Sequence, residues 1–475
     1  MSVVYPHHQV SEANLGDVVE ALRQTFFEGV TLPPSFRLAQ LKSLRKMFID
    51  NKSRLIEAVQ KDLGKQVEFE VLASEINLPL NELDETIKNL DKWLSPQSVS
   101  TPISIHPASS ELYAEPKGTV LIMSPWNYPI NLAIVPLIGA IAGGNTVLLK
   151  LSRHSINTSL TLHDLLPRYL DGRAYAIEST GGASLITKLI SYKWDHIFFT
   201  GSCSVGKLVY QAAALHMTTV TLELGGKNPC IVDSNIDLDL TARRIAWGKF
   251  FNCGQTCIGV DYVLAHESIV PSLVEKLREH IENFYGSDAK TSKSYCRIIS
   301  KDHAVRLSKL FDDGKVVYGG TADPEERYVA PTIILEPREN SLLLTDEIFG
   351  PVLPIVSVKN IDEAILSLRD KPLPLALYVF SKSSATAERV INNTRSGAAV
   401  HNDVIVQFLN PKLPFGGVGE SGLGAYHGKQ TFETFVHRKP VIKSTKYNSL
   451  DIKLRYPPYN DKSTWVVDKV TRSGL

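Results

Sequence analysis

Along residues 15–95, Leu, Phe and Ile recur at three- and four-residue spacing among charged positions, which predicts amphipathic helices. The rhythm changes at Gly118. GTVLIMSP and NTVLLK are short apolar strands, and NLAIVPLIGAIAGG between them is apolar all round, as a buried helix ended by glycines would be. AYAIES, HIFFTG and TTVTLE continue the strands, while SINTSLTLHDLLPRYL, ASLITKLIS and VGKLVYQAAALHM continue the helices. This alternation predicts an α/β fold: a doubly wound parallel sheet, helices on both faces, with nucleotides bound at the carboxyl ends of its strands. After Glu223 a second βα-rich region runs to about Gly397. It is expected to be a separate domain, because one sheet rarely exceeds about ten strands. No solenoid repeat and no low-complexity linker is evident, so the halves should pack together with a cleft between them.

A chain of 475 residues implies two or three domains. Its 51 basic and 50 acidic side chains nearly cancel, so no global field favours nucleic acid or an anionic membrane. One local exception runs from Arg438 to Leu475, with nine Lys/Arg against three Asp. That tail reads as a solvated or subunit-packing extension, or as a peripheral contact with anionic lipid. Five cysteines are too few and too odd for a disulfide framework, which points to a reducing, cytoplasmic compartment. The start, MSVVYPHHQVSEANLGD, lacks the pattern of a secretory signal. The charge-free stretch between Lys117 and Lys150 is long enough to span a bilayer, but Pro125, Asn127, Pro129, Asn131, Pro136 and Asn145 interrupt it. It reads better as strand, loop, buried helix and strand.

Six segments hold residue types suited to chemistry. Phe251-Asn252-Cys253-Gly254-Gln255-Thr256-Cys257 has two cysteines four apart, yet no nearby Cys or His pair completes a zinc site, and no metal is expected. A lone intracellular cysteine reads first as a buried apolar residue. The turn suggested by Gly254 and Gln255 raises Cys257 above that reading, because a nucleophilic thiol needs partial exposure and a lowered pKa. Glu223-Leu224-Gly225-Gly226-Lys227 places a carboxylate at a strand end before two glycines, as in a ligand cleft or a solvated turn. Asn127, between Pro125 and Pro129, is a stiffly held amide suited to an oxyanion hole or to satisfying turn backbone. Gly201-Ser202-Cys203-Ser204-Val205-Gly206-Lys207-Leu208 misses the P-loop pattern, since Leu208 has no hydroxyl for magnesium. It remains a small-residue turn feeding a helix N-terminus, suited to a pyrophosphate. Glu347-Ile348-Phe349-Gly350-Pro351 and Pro414-Phe415-Gly416-Gly417-Val418-Gly419-Glu420-Ser421-Gly422 suggest backbone held close to a partner.

In this order, PWNYP, FTGSxxVG, ELGGK, NxGQTC, EIFGP and PFGGVGxSGxG resemble the aldehyde dehydrogenase superfamily, over nearly the whole chain to about Lys439. GGVGESGLGAYHGK and LRYPPY are similar to its class 3 and fatty aldehyde dehydrogenase branch. The resemblance implies a Rossmann-type cofactor domain (1–82 and 105–222), an α/β catalytic domain (223–398), a small β oligomerisation arm or bridging segment (83–104 and 399–440) and a basic C-terminal extension (441–475). It implies that Cys257 is the nucleophile, that Asn127 and the Cys257 backbone N–H form the oxyanion hole, and that Glu223 is the general base. Lys150 and Glu347 match residues that hold the cofactor riboses. Ser202 matches a pyrophosphate contact in the turn of Gly201 and Gly206, and Trp126 and Phe349 match neighbours of the cofactor. The implied reaction oxidises an aldehyde to the carboxylic acid through a Cys257 thiohemiacetal and thioester, with hydride passed to NAD or NADP. The branch implies medium- or long-chain aliphatic, apocarotenoid or aromatic aldehydes, and a homodimer.

Three departures from the family pattern matter. Lys150-Leu151-Ser152-Arg153 stands where Lys-Pro-Ser-Glu is usual, so Arg153 either meets the 2′-phosphate of NADP or points to solvent. Cys253 replaces a small residue and could form a disulfide with Cys257. Fatty aldehyde relatives often end in a hydrophobic anchor, whereas KLRYPPYNDKSTWVVDKVTRSGL has no apolar segment of spanning length. Ser473-Gly474-Leu475 only faintly resembles a peroxisomal address. The alternatives are a semialdehyde-specific or CoA-acylating relative, or a non-catalytic member of the fold. Glu223 favours acid release by hydrolysis, and the retention of Cys257, Asn127 and Glu223 argues against loss of catalysis.

Overall fold

The computed structural model describes residues 10–338 and 340–472. The first nine residues of the stretch read for a secretory signal, and the terminal Ser473-Gly474-Leu475, lie outside the described residues.

The alternating apolar strands assemble into a six-stranded sheet ordered Gly422–Leu423, Thr219–Leu224, His196–Gly201, Thr119–Met123, Thr146–Lys150, Tyr175–Glu178. All neighbours are parallel except Gly422–Leu423, which runs antiparallel to the strand carrying Glu223. Every residue of Thr119–Met123 and Thr146–Lys150 is buried. Their unbroken apolar runs follow from cover on both faces. Side-chain alternation divides them between two cores: Val120, Ile122, Val147 and Leu149 face the layer containing helices Pro34–Asp50 and Asn131–Gly143, and Leu121, Met123 and Leu148 face the layer containing Leu15–Phe27. The charge-free segment is a strand, a loop, a helix and a strand, and no helix among the described residues is long and apolar enough to cross a membrane.

A seven-stranded sheet follows, ordered Lys315–Tyr318, Thr332–Leu335, Val352–Val358, Tyr262–His266, Pro229–Val232, Ala376–Phe380, Ala398–His401, parallel apart from its first pair. The strands Gln97–Val99, Ser109–Pro116 and Val436–Lys443 form a separate three-stranded arm. On it Lys439 and Lys443 pair with Glu115 and Glu111 at 2.7 and 2.6 Å. The final helix, Asp461–Arg472, packs on the turn Ile103–Ile105. The α/β fold read from the sequence, with two open sheets and a β arm, is thus observed.

Helix Cys203–Ala214 begins two residues before the stretch expected from its apolar spacing, because Ser202 Oγ accepts the N–H of Val205 at 3.4 Å and caps it. Gly206 lets this helix lie close on the neighbouring strand: a Cβ there would stand 2.5 Å from Leu224 Cδ2.

Candidate active site

The loop carrying Cys257 is shaped by its backbone. After helix Leu238–Phe250, Asn252 and Cys253 both sit at φ 52° and Gly254 at φ 72°, three successive left-handed residues. Non-glycine residues in that region cost about 1–3 kcal/mol each, so surrounding bonds must hold them. Asn252 Nδ2 donates to the carbonyls of Asn127 (3.1 Å) and Gln255 (3.0 Å). Gln255 Nε2 donates to the Asn252 and Arg297 carbonyls, and its Oε1 accepts the N–H of Ile299. Tyr128 and Thr256 share a hydroxyl hydrogen bond of 2.6 Å, and Asn228 Nδ2 donates to the Cys257 carbonyl at 2.7 Å. A Cβ on Gly254 would meet the Gly350 carbonyl at 2.3 Å, so glycine is required where the loop meets the EIFGP segment.

Asn127 is buried and its Nδ2 donates to the Gln255 carbonyl at 3.2 Å. An amide carries two N–H donors, which leaves one for a ligand beside Cys257. Glu223 is also buried, and neither carboxyl oxygen has a hydrogen-bond partner. Desolvation holds its pKa well above the ordinary carboxylate range. Burial, reinforced by Glu347 and then Glu223, pushes the Cys257 thiol up to about 12. The sequence argument asked for a lowered thiol pKa; the structure has the opposite direction, because the loop buries the sulfur beside two carboxyls. Glu347 itself is raised to about 8, by burial and then by Asp261.

Cys257 lies where two cavities meet. On one side is a cleft of about 220 Å³ lined by Trp126, Asn127, Thr200, Gly201, Ser202, Glu223, Gly225, Glu347 and Phe349 among others. On the other is a tunnel walled by Tyr128, Leu132, Phe251, Ile258, Ile405, Phe408, Phe415, Tyr426 and His427. Burial drops the His427 pKa to about 4, so this imidazole is neutral. The tunnel's outer end adjoins a pocket with Leu78, Val135, Leu409 and Pro411.

The cleft suits a dinucleotide. A Cβ on Gly225 would lie 2.1 Å from Glu347 Oε2, so the backbone comes as close as a ligand needs; the capped helix start at Ser202 offers N–H groups; and the buried Thr200 hydroxyl has no partner. Trp126 makes edge contacts at 5.3 Å with both Phe349 and His303, giving the cleft an aromatic rim. Lys150 and Arg153 lie at the next strand ends. Lys150 Nζ donates to the Leu151 carbonyl at 2.6 Å and pairs with Glu178 at 3.3 Å, while burial lowers its pKa. Arg153 is exposed, with its guanidinium 3.1 Å from where a Cβ on Gly182 would be. Gly206 serves helix packing and is absent from the cleft lining.

Several residues escaped the sequence reading. Asn252 stands in the NxGQTC motif, which was the available signal. His303 and Arg306 enter the cleft from helix Lys301–Ser308, and no local pattern marks them. Glu178 ends strand Tyr175–Glu178 and accepts the N–H groups of Thr180 and Gly181 at 2.8 and 2.6 Å. Cys253 faces Cys296 and Tyr295 in the core, away from the cavities that Cys257 lines, which removes the basis for a Cys253–Cys257 disulfide.

A half-buried thiol and a buried carboxyl between a nucleotide-sized cleft and an apolar tunnel, on a doubly wound fold, are the arrangement of a thiol-dependent oxidoreductase. The aldehyde dehydrogenase family model matches residues 2–441, and the chain belongs to that family. It is 53% identical to aldehyde dehydrogenase family 3 comG of Dictyostelium discoideum, over 97% of this chain and 98% of that protein. It is 45% identical to the aldehyde dehydrogenase of Rattus norvegicus described as dimeric and NADP-preferring, over 94% of this chain and 98% of that one. Staphylococcus aureus AldH, solved in a substrate-bound state, superposes with a TM-score of 0.93 at 39% identity, covering 96% of this chain and 99% of that one. The protein oxidises an aldehyde to the carboxylic acid with NAD or NADP.

Proposed function

We propose that Cys257 is the nucleophile, Glu223 the general base and Asn127 an oxyanion donor in the oxidation of an apolar aldehyde. The observation that carries this reading is the position of Cys257 as a shared wall of tunnel and cleft. An aldehyde entering through the tunnel reaches sulfur with its hydrogen directed to the cleft.

Ionised Glu223 takes the Cys257 thiol proton, through water, and the sulfur bonds to the aldehyde carbon. The oxygen becomes an alkoxide and is met by Asn127 Nδ2–H and the Cys257 backbone N–H. Removing one such donor costs about 3 kcal/mol in the barrier. Bound NAD or NADP supplies the hydride acceptor. Trp126, Phe349, Ser202, Gly201 and Glu347 position it along the cleft, with Lys150 and Arg153 at the adenosine end. Glu223 passes the thiol proton to solvent and, on the thioester that remains, takes a proton from water; hydroxide adds to the carbonyl, the C–S bond breaks and the Cys257 thiolate takes the proton back from Glu223. Hydrolysis in this way favours acid release over acyl transfer to CoA.

The tunnel walls favour aliphatic or aromatic chains over polar semialdehydes, because the described lining offers no cation to pair with a second carboxylate. The domain division 1–82 with 105–222, 223–398, and 83–104 with 399–440 follows the same reading, as do a cytoplasmic location and a homodimer, the state in the rat relative's name. The tail's exposed Tyr447, Tyr456, Tyr459 and Trp465 lie among its Lys and Arg residues, a mixture that supports peripheral contact with anionic lipid. Cofactor reduction at 340 nm, with hexanal, hexadecanal, benzaldehyde and an apocarotenal, each with NAD and NADP, tests the enzyme reading. Turnover in the wild type that vanishes in Cys257→Ser is expected; turnover that survives the substitution would overturn the nucleophile.

A further inference from the structure

A second cavity of about 220 Å³, as large as the cofactor cleft, opens elsewhere on the seven-stranded sheet. Its lining includes four cations: Lys227, Arg369, Lys371 and Arg395. Only Lys227 is neutralised, by Asp261 at 2.5 Å. The other three form no ion pair among the described residues. Lys371 and Lys227 lie 5.0 and 5.2 Å from the ring centre of Tyr262, which also lines the cavity. Tyr262 is buried, and its hydroxyl has no hydrogen-bond partner among the described residues. Burial and the neighbouring Lys227 both lower the Lys371 pKa. Asp370, between Arg369 and Lys371 in the chain, is exposed and makes no ion pair among the described residues, and the Glu420 carboxylate accepts the backbone N–H of Leu373 at 3.4 Å. Ile365, Leu368 and Leu373 supply apolar wall.

Arg369 and Arg395 are exposed and Lys371 is half-buried, while the buried Tyr262 hydroxyl is a polar group that costs free energy without a partner. Two guanidiniums and an ammonium in excess outnumber what one carboxylate would neutralise, and the planar Arg fork matches phosphate oxygens. We propose that this cavity is a second ligand site, taking a small organic phosphate, and that it modulates aldehyde oxidation through Lys227.

The route to the active site is short. Pro374 and Leu375 pack directly on Gly226, where a Cβ would stand 3.2 Å from Pro374 Cα and 2.9 Å from Leu375 N. The Gly226 N–H donates to Glu347 Oε1 at 3.3 Å. Lys227 Nζ donates to the Asp346 carbonyl at 3.0 Å, and its partner Asp261 accepts the Ile348 N–H at 3.1 Å. An anion that draws on Lys227 therefore pulls on both ends of the segment presenting Glu347 and Phe349 to the cofactor.

The test uses enzyme saturated with NAD, so that phosphate cannot occupy the cofactor cleft. Inorganic phosphate and glycerol 3-phosphate are titrated at ionic strength fixed with chloride, reading Tm and, separately, KM for the aldehyde. The expected result is a saturable rise in Tm and a shift in KM, with the midpoint about tenfold weaker in Arg369→Ala/Arg395→Ala. Tighter binding of glycerol 3-phosphate assigns the apolar wall to the ligand; equal midpoints assign the site to inorganic phosphate. A rise that does not saturate, or that is identical in the variant, would overturn the proposal. So would loss of phosphate-free turnover in the variant, which would make the arginines structural. Wild-type turnover without phosphate reports on the aldehyde reaction independently of either result.

Discussion

Burial sets the same problem for Cys257 and Glu223, since each holds its proton in the closed cleft. For Glu223 the sign is direct. Its pKa is raised by burial, so the base becomes competent only at a higher pH than a solvated carboxylate would need. The steady-state rate should therefore climb with pH, and Glu223→Gln should flatten that rise and slow the first turnover per site as well, since the same carboxylate takes the thiol proton. A rate that falls over the same range, or an unchanged profile in the variant, would remove Glu223 from this role. At the adenosine end, Arg153 and Glu178 oppose one another, cation against carboxylate beside Lys150. Arg153→Glu should lower kcat/KM for NADP relative to NAD, and Glu178→Gln should raise it, each by about tenfold if one close charge is worth about 1.4 kcal/mol. Movement in the same direction for both would sink the pairing. Arg153 was legible as a departure within a motif. Glu178 was not, because its importance comes from the neighbouring strand end rather than from its own surroundings in the chain.

At the level of elements, helix Asn131–Gly143 could be placed from its apolar run and its terminal glycines, yet what stabilises its start could not. Glu75 Oε2 accepts the N–H groups of Ile130 and Asn131 at 3.0 and 2.8 Å, from 55 and 56 residues away in sequence. Burial raises its pKa to about 7. The unfolded chain releases this proton near the ordinary Glu value while the folded chain keeps it, so the associated stability is complete below about 4 and is lost as pH rises through about 7. Glu75→Gln keeps an acceptor for the cap and removes the titration. Its Tm should fall less between pH 5 and pH 8 than that of the wild type, and parallel curves would show that other groups carry the dependence. The nucleophile loop carries a second such debt. Asn252→Ala loses the bonds to the Asn127 and Gln255 carbonyls and leaves the Asn127 carbonyl wanting a partner, at about 2–3 kcal/mol of stability. A fall in kcat larger than any loss of NAD affinity is expected, since the loop carries the sulfur itself and reaches the cleft only through the Asn127 carbonyl and Gly350; weakened NAD binding alone would contradict that role.

For the whole molecule, strand–helix alternation was enough to read two open sheets, but the way the chain closes on itself was not legible. The glycine-rich segment near Gly422 returns to pair with Glu223, a contact across nearly 200 residues that no local periodicity encodes. Assembly poses the same difficulty. Helix Cys203–Ala214 and its exit present Leu208, Tyr210, Leu215 and Met217 at 57%, 53%, 82% and 89% exposure, a run of apolar surface beside the cofactor sheet. Exposed apolar side chains in this number on one helix and its exit suit an interface, and in a homodimer they would be repeated on both subunits. The proposed dimer should therefore weaken when Leu215 and Met217 are both changed to Lys, since the symmetric contact would then bury four like charges. Sedimentation velocity should find the wild type at twice the chain mass and the variant moving towards one chain mass as it is diluted. Cys257, Glu223 and Asn127 are brought together by the fold of one chain, so the dissociated variant should keep most of its kcat. An undiminished dimer would shift the interface to another face, such as the arm strand Val436–Lys443 with its exposed Ile442. Dissociation accompanied by loss of turnover would mean instead that the partner subunit holds the nucleophile loop in its left-handed path.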